Sequence, residues 1–158
     1  LGLGELFVFV FFGLVATAGT TYVIVERLTA ESIVAGCGVG ALACALLAVN
    51  NLRDIPTDRL SGKRTLAVVI GRRWTRVFYV GIVLGAYLAS AGLWLLGNFP
   101  VWTLLPWLSA PLAFRPAEAV LNHVDGPTLN RALRATAQLH LVFALLLSAG
   151  IFVSTALG

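Results

Sequence analysis

Methionine is missing from this sequence, and charge is scarce: of 158 residues, 11% are charged and 59% are hydrophobic. Soluble domains carry roughly 25% charged residues, so this chain has too little polar surface to cover a core in water. That excludes an ordinary soluble enzyme. It also removes the case for a nucleic-acid partner, because the net charge of +4 reads as the basic side of a membrane protein. With no Met and with Leu1 at its start, the chain is expected to be a portion of something longer. The first apolar run has no basic segment before it, and its ~20 residues fit a membrane span better than a signal peptide. Cysteine is also scarce: Cys37 and Cys44 stand seven apart in one apolar run. On a helix that spacing is about 10 Å along the axis, too far for a disulfide. They are read as small buried residues.

What the chain has in place of charge is long uncharged runs. Residues 6–25 and 32–52 contain no charged residue, and neither does the stretch from Val77 to Phe114. Gly97-Asn98-Phe99-Pro100 is turn chemistry that divides the third run into spans 77–96 and 101–121. Pro106, Pro111 and Pro116 predict that the fourth span is kinked or broken. The fifth covers 135–157. Each is close to the ~20 residues a bilayer core requires. The expectation is an all-α integral membrane protein with five transmembrane helices and a charged loop at 53–76.

Five spans send their loops alternately to two sides. One side collects ten basic residues: Arg53, Arg59, Lys63, Arg64, Arg72, Arg73, Arg76, Arg115, Arg131 and Arg134. The other receives only Arg27. By the positive-inside rule the loop 53–76 and Leu1 lie on the cytoplasmic face and Gly158 lies outside. Within the second span, Gly36 and Gly40 have GxxxG spacing, which predicts a close helix–helix approach.

The 24 residues from Arg53 to Arg76 hold nine charges, seven basic and two acidic. Asn50, Asp54 and Asp58 fall at i, i+4 and i+8. If the second span stays helical, all three share a face, and two carboxylates with an amide carbonyl are hard oxygen ligands of the kind Mg²⁺ takes. Pro56 predicts a bend or restart between the two acids. Arg59, Lys63 and Arg64 follow, separated by a Ser61-Gly62 turn, and such cations satisfy phosphate oxygens. Thr65 to Gly71 is apolar enough to fold back as a lid helix. The competing reading is an ordinary basic cytoplasmic loop. Against it stand Asn50, Asn51, Asp54 and Asp58 at the membrane boundary, where polar residues are costly and usually functional.

The string NNLRDIPTDRLSGKRTLAVVIG resembles the second aspartate-rich motif of the UbiA superfamily of intramembrane prenyltransferases. More narrowly, it resembles the branch that prenylates 1,4-dihydroxy-2-naphthoate in menaquinone biosynthesis. The matching residues are Asn50, Asn51, Arg53, Asp54, Asp58, Gly62, Lys63, Arg64, Thr65, Leu66 and Ala67. The opening GLGELFVFVFFG is similar to the start of the fifth helix of that branch, with Glu5 at its cytoplasmic end. The resemblance implies helices five to nine of a nine-helix bundle in the plasma (inner) membrane, one transmembrane domain around a central cavity. The first aspartate motif of the family has no counterpart among these residues. The implied reaction transfers a polyprenyl group from polyprenyl diphosphate to 1,4-dihydroxy-2-naphthoate, with loss of the ring carboxylate, giving demethylmenaquinone. Asp54 and Asp58, helped by Asn50 or Asn51, would hold Mg²⁺. Arg53, Lys63 and Arg64 would stabilise the leaving diphosphate.

Glu5 is expected either to support a substrate or to face lipid headgroups. Tyr22 and His140 are read as structural, and His123, Asp125 and Arg131 as a solvated loop. Trp74, Trp94, Trp102 and Trp107 fall near span ends, as an interfacial belt would. Two other functions compete: a superfamily enzyme with a different acceptor, such as hydroxybenzoate, haem or a chlorin, and a non-catalytic transporter or channel subunit. Oligomeric state is not legible.

Overall fold

The computed structural model describes residues 2–96 and 99–156, with the side chain of Leu96 excepted. The regular structure of the described residues is all helical, with no strand among them. The elements are α1 (Gly4–Val25), α2 (Ala30–Leu60), α3 (Leu66–Leu96), a 3₁₀ helix (Val101–Ser109) that runs directly into α4 (Ala110–Asn122), and α5 (Gly126–Ala156). Four of them, α1, α2, α3 and α5, are long and apolar enough to cross a membrane. The Gly97-Asn98 part of the expected turn and residues 157 and 158 lie outside the described residues.

Capping chemistry sets the start of α2. Thr29 is extended, its Oγ1 accepts from the Ser32 N–H at 3.1 Å, and Ser32 Oγ donates to the Thr29 carbonyl at 2.8 Å. From there α2 runs 31 residues, about 46 Å, well beyond the ~30 Å hydrocarbon core. The sequence placed its end near Leu52; the charged turns after Leu52 remain helical, and Pro56 does not restart the helix. Hydropathy sees only the part of a helix that suits lipid. The same effect hides the first turns of α3 and α5. The stretch 53–76 is therefore mostly helix, interrupted at residues 61–65 and at a kink at Gly71.

Helix α2 is the centre of the fold. Leu42, Ala45, Ala48, Val49, Leu52 and Ile55 are buried on it and pack with Tyr79, Val83 and Ala86 of α3 and Leu139 and Phe143 of α5. Buried hydroxyls tie the neighbours together: Tyr79 Oη with Thr136 Oγ1 at 2.9 Å, and Tyr87 Oη with Ser109 Oγ at 3.0 Å. Trp107 Nε1 donates to Ser90 Oγ at 3.1 Å. Such bonds between helices are typical glue in lipid. All four tryptophans are exposed, as a belt requires. His140 is half-buried and makes no hydrogen bond to another described residue.

Helix α1 packs by close approach. Its middle, Phe9–Gly19, is π-helical, and Gly13 in that stretch meets the GxxxG face of α2. A Cβ on Gly13 would lie 2.7 Å from the Gly36 carbonyl oxygen and 2.7 Å from Gly40 Cα. The GxxxG expectation thus holds, with α1 as the partner. The other face of α1 is open: Leu6, Phe7, Phe11, Phe12 and Val15 are exposed.

The contacts sort the molecule into two ends. At one, Arg53 reaches Asn130, and Arg76 donates to the carbonyls of Val120 (2.8 Å) and His123 (2.7 Å). At the other, Trp102 touches Gly150, and Leu93, Phe99 and Ile151 line one small cavity. The segments 53–76 and 115–134 therefore share an end, as the charge count required. At that end Asp125 Oδ1 accepts from the Thr128 N–H at 2.8 Å and caps α5. Hydrogen bonds from Thr128 hold its carboxyl below the usual carboxylate range.

Candidate functional site

The site is built by the way α2 stops. Gly62 adopts φ +71°, a left-handed turn that residues with a Cβ take at a cost. Around it the Gly62 N–H bonds the Arg59 carbonyl at 3.2 Å and the Lys63 N–H bonds the Asp58 carbonyl at 2.9 Å. This pair is a Schellman cap. It turns the chain back so that Lys63 Nζ comes to 3.4 Å from Asp58 Oδ1. Thr65 completes the link. Its Oγ1 donates to Asp58 Oδ2 at 3.4 Å and accepts from the Val68 N–H at 3.3 Å, capping α3. Asp58 is left only 6% exposed. The helix expected at Thr65 to Gly71 is present as a short segment that begins at Leu66 and ends at Gly71, where φ is +77° and the chain turns into the long part of α3.

Asp54 has a different environment. Arg53 holds it in a two-pronged pair, Nε to Oδ1 and Nη2 to Oδ2, both at 2.7 Å. The same guanidinium donates from Nη2 to Asn50 Oδ1 at 3.0 Å and from Nη1 to Asn130 Oδ1. Asn50, Arg53 and Asp54 are thus one half-buried cluster, while Asp58, Lys63 and Thr65 form a second, one turn on. Arg64 is exposed, and its carbonyl accepts from the Gly2 N–H at 3.0 Å.

Glu5 is not at the headgroup surface. It is 5% exposed, and its Oε1 accepts from Asn51 Nδ2 at 2.8 Å. Two cavities meet there. One of about 260 Å³ has Glu5, Asn51, Lys63, Arg64 and Thr65 in its wall beside Leu3 and Leu47. An apolar one of about 440 Å³ is lined by Glu5, Phe9, Cys44, Leu66, Phe78 and Ile82 among others. Glu5 and Gly2 border both. Neither cysteine forms a disulfide; Cys44 Sγ donates to the Glu5 carbonyl at 3.0 Å.

The donor set fits Mg²⁺ in kind. Asp54, Asp58 and Asn50 offer hard oxygens at consecutive turns of one helix, and Mg²⁺ is commonly bound by one or two carboxylates plus substrate phosphates. Among the described residues no group of three or more His, Cys, Asp or Glu converges, so further ligands must be phosphate oxygens, water or groups elsewhere. Sequence reasoning missed Thr65 as a partner of Asp58 and Asn130 as a partner of Arg53. Thr65 was readable as a helix N-cap; Asn130 lies 77 residues from Arg53, and nothing local signals it.

Over 146 residues the chain is 42% identical to 1,4-dihydroxy-2-naphthoate octaprenyltransferase of Mycobacterium tuberculosis, which covers 91% of this chain and 48% of that protein. The same-named proteins of Mycobacterium leprae and Escherichia coli are 38% and 34% identical, over 91% and 98% of this chain and 48% and 50% of theirs. The chain spans about half the length of these curated relatives. The family model for UbiA prenyltransferases matches residues 1–142, which include the Glu5–Asn51 pair, both aspartate clusters and the capped turn after Asp58; the chain belongs to the UbiA prenyltransferase family.

Proposed function

We propose that this chain carries the diphosphate-holding end of an intramembrane enzyme that transfers a polyprenyl group from polyprenyl diphosphate to 1,4-dihydroxy-2-naphthoate. The ring carboxylate is lost and a demethylmenaquinone forms. One observation carries the reading: a buried aspartate one turn beyond a second aspartate is paired with Lys63, and Lys63 with Arg64 lines a cavity that shares Gly2 and Glu5 with an apolar one, although neither aspartate itself lines either cavity. The names of the relatives support the choice of acceptor.

Asp54 and Asp58, with Asn50, would hold Mg²⁺, which when bound neutralises charge on the diphosphate and polarises its phosphoryl oxygens. Arg53, freed from Asp54, turns its planar fork to phosphate oxygens, while Lys63 and Arg64 serve them as a point charge and a second fork. These cations act on charge that grows on the departing oxygen, so they stabilise the transition state more than the bound substrate. Leu66 and the short helix after it shield the cleaving bond from water. A prenyl tail stays in lipid because each CH₂ moved to water costs about 0.8 kcal/mol.

We also assign the fourth crossing to the 3₁₀ helix and α4 together. Nine residues at about 2.0 Å each and thirteen at about 1.5 Å each reach across a ~30 Å core. The chain then supplies helices five to nine of a nine-helix bundle in the plasma membrane, its Asp54–Lys63 end cytoplasmic and its C-terminus outside. The ten-to-one distribution of basic residues supports that orientation.

The test uses the full-length protein in liposomes with labelled polyprenyl diphosphate and dihydroxynaphthoate. Label is expected in a prenylated naphthoquinol, transfer is expected to stop on chelation with EDTA, and excess Mg²⁺ restores it. Transfer that survives chelation sinks the metal role. Transfer to hydroxybenzoate but not to naphthoate sinks the acceptor assignment.

A further inference from the structure

We propose that Glu5 receives a ring hydroxyl of the aromatic acceptor and that Asn51 is the residue that positions it. This rests on the prenyltransferase reading above.

The first observation is an imbalance. Glu5 is nine-tenths buried, yet only one of its two oxygens is served: Oε1 takes the Asn51 amide N–H at 2.8 Å, and Oε2 is buried with no hydrogen-bond partner among the described residues. Buried carboxylate oxygens are rarely left this way, because the desolvation cost is not returned. An unserved acceptor implies a donor that arrives with a ligand.

The second observation is position. Glu5 is the acidic group common to the cavity beside Lys63 and Arg64 and to the apolar cavity lined by Phe9 and Phe78. The sign of its charge decides which substrate it meets. A carboxylate repels a diphosphate, and the lysine and arginine attract one, so the anion belongs at the cationic side. The ligand of Glu5 must be a hydrogen-bond donor on an apolar body. A hydroxylated aromatic ring meets both demands, provided that its own carboxylate, which Glu5 would repel like the diphosphate, points away and the hydroxyl remote from that carboxylate faces Glu5; a cavity of about 440 Å³ is within the range of small-molecule pockets.

The third observation is anchoring. Asn51 fixes Oε1 and adds no charge of its own. Cys44 Sγ holds the Glu5 carbonyl at 3.0 Å, and the Arg64 carbonyl holds the Gly2 N–H at 3.0 Å. The start of α1 is thus tied to α2 and to the capped turn. A carboxylate kept this still is preorganised to receive a hydroxyl, and its negative charge favours electron density on the ring that attacks the allylic carbon. The positioning role of Asn51 is therefore distinct from the help in holding Mg²⁺ expected from the sequence.

Full-length Glu5→Gln and Asn51→Ala, reconstituted in liposomes, test this by steady-state kinetics with each substrate varied. Glu5→Gln keeps the shape and loses the charge. Its kcat/KM for dihydroxynaphthoate is expected to fall about 10- to 100-fold, the size of one hydrogen bond to a charged group, with KM for polyprenyl diphosphate unchanged. Asn51→Ala is expected to lose less, in the same parameter. Mono-hydroxy naphthoates add a readout that a structural role would not move. With the analogue lacking the hydroxyl that Glu5 receives, wild type and Glu5→Gln should turn over alike. Unchanged acceptor kinetics in Glu5→Gln, equal losses toward both substrates, or an undiminished gap with both mono-hydroxy analogues overturns the assignment. Absence of wild-type transfer to any naphthoate overturns instead the prenyltransferase reading on which it rests.

Discussion

Asp58→Asn in the full-length protein is expected to lower prenyl transfer about 10²- to 10³-fold, with little loss of fold. The two halves of that expectation have separate grounds. Asp58 is 6% exposed, and its ionic partner Lys63 is 60% exposed at 3.4 Å. A pair with one end so open to water contributes roughly 0–1 kcal/mol, and the Thr65 bond is long at 3.4 Å. Neither repays the burial of a carboxylate, so structure alone does not account for an acid there. Asparagine keeps the volume and one acceptor oxygen, so thermal unfolding in detergent should shift little. What it removes is negative charge beside Lys63, which is what a metal-bound diphosphate requires. Asp54→Asn should act in the same direction, and it frees Arg53 to stay on Asn50 and Asn130. Full transfer by both variants would show that the carboxylates are bystanders.

Gly40→Val should have the second largest effect, and it should be felt in folding first. A Cβ at Gly40 would sit 2.9 Å from Gly13 Cα and 3.0 Å from the Phe9 carbonyl oxygen, and both are backbone atoms that cannot rotate aside. Helix α1 must then move off α2, at a cost of about 1–3 kcal/mol or somewhat more. Because Glu5 rides on α1 and its partner Asn51 on α2, the movement also parts that pair. The measurement is the midpoint of unfolding in detergent together with transfer activity. Gly81→Val is the control: a Cβ at Gly81 meets nothing within 4 Å. The expected order is a marked drop for Gly40→Val and almost none for Gly81→Val; equal midpoints would mean that α1 does not pack through its glycines.

The sequence made some of this legible and hid the rest for physical reasons. Uncharged runs located the helices, because lipid admits no other backbone in long apolar stretches. They understated α2, α3 and α5, whose ends leave the hydrocarbon and become charged without ceasing to be helical. The π-helical middle of α1 was invisible: when residues 6–15 are apolar apart from one glycine, no face stands out and the period cannot be read. Pro106 and its neighbours did signal the broken fourth element, which becomes 3₁₀ and then α. At the site, the spacing of Asp54 and Asp58 and the Ser61-Gly62-Lys63 turn were local and therefore readable. The pairing of Glu5 with Asn51, 46 residues apart, depends on how α1 lies against α2, and no local pattern encodes that.

The central claim is that Asp54 and Asp58 hold a divalent ion that itself holds a diphosphate. It is tested most directly by binding, without turnover. Full-length protein in detergent is titrated with Mn²⁺ as a spectroscopic substitute, with and without a non-cleavable prenyl thiolodiphosphate, and free Mn²⁺ is followed by electron paramagnetic resonance. The account predicts that the thiolodiphosphate draws Mn²⁺ onto the wild type, and that the Asp54→Asn, Asp58→Asn double variant loses this uptake while remaining folded. Equal uptake by the double variant would contradict it.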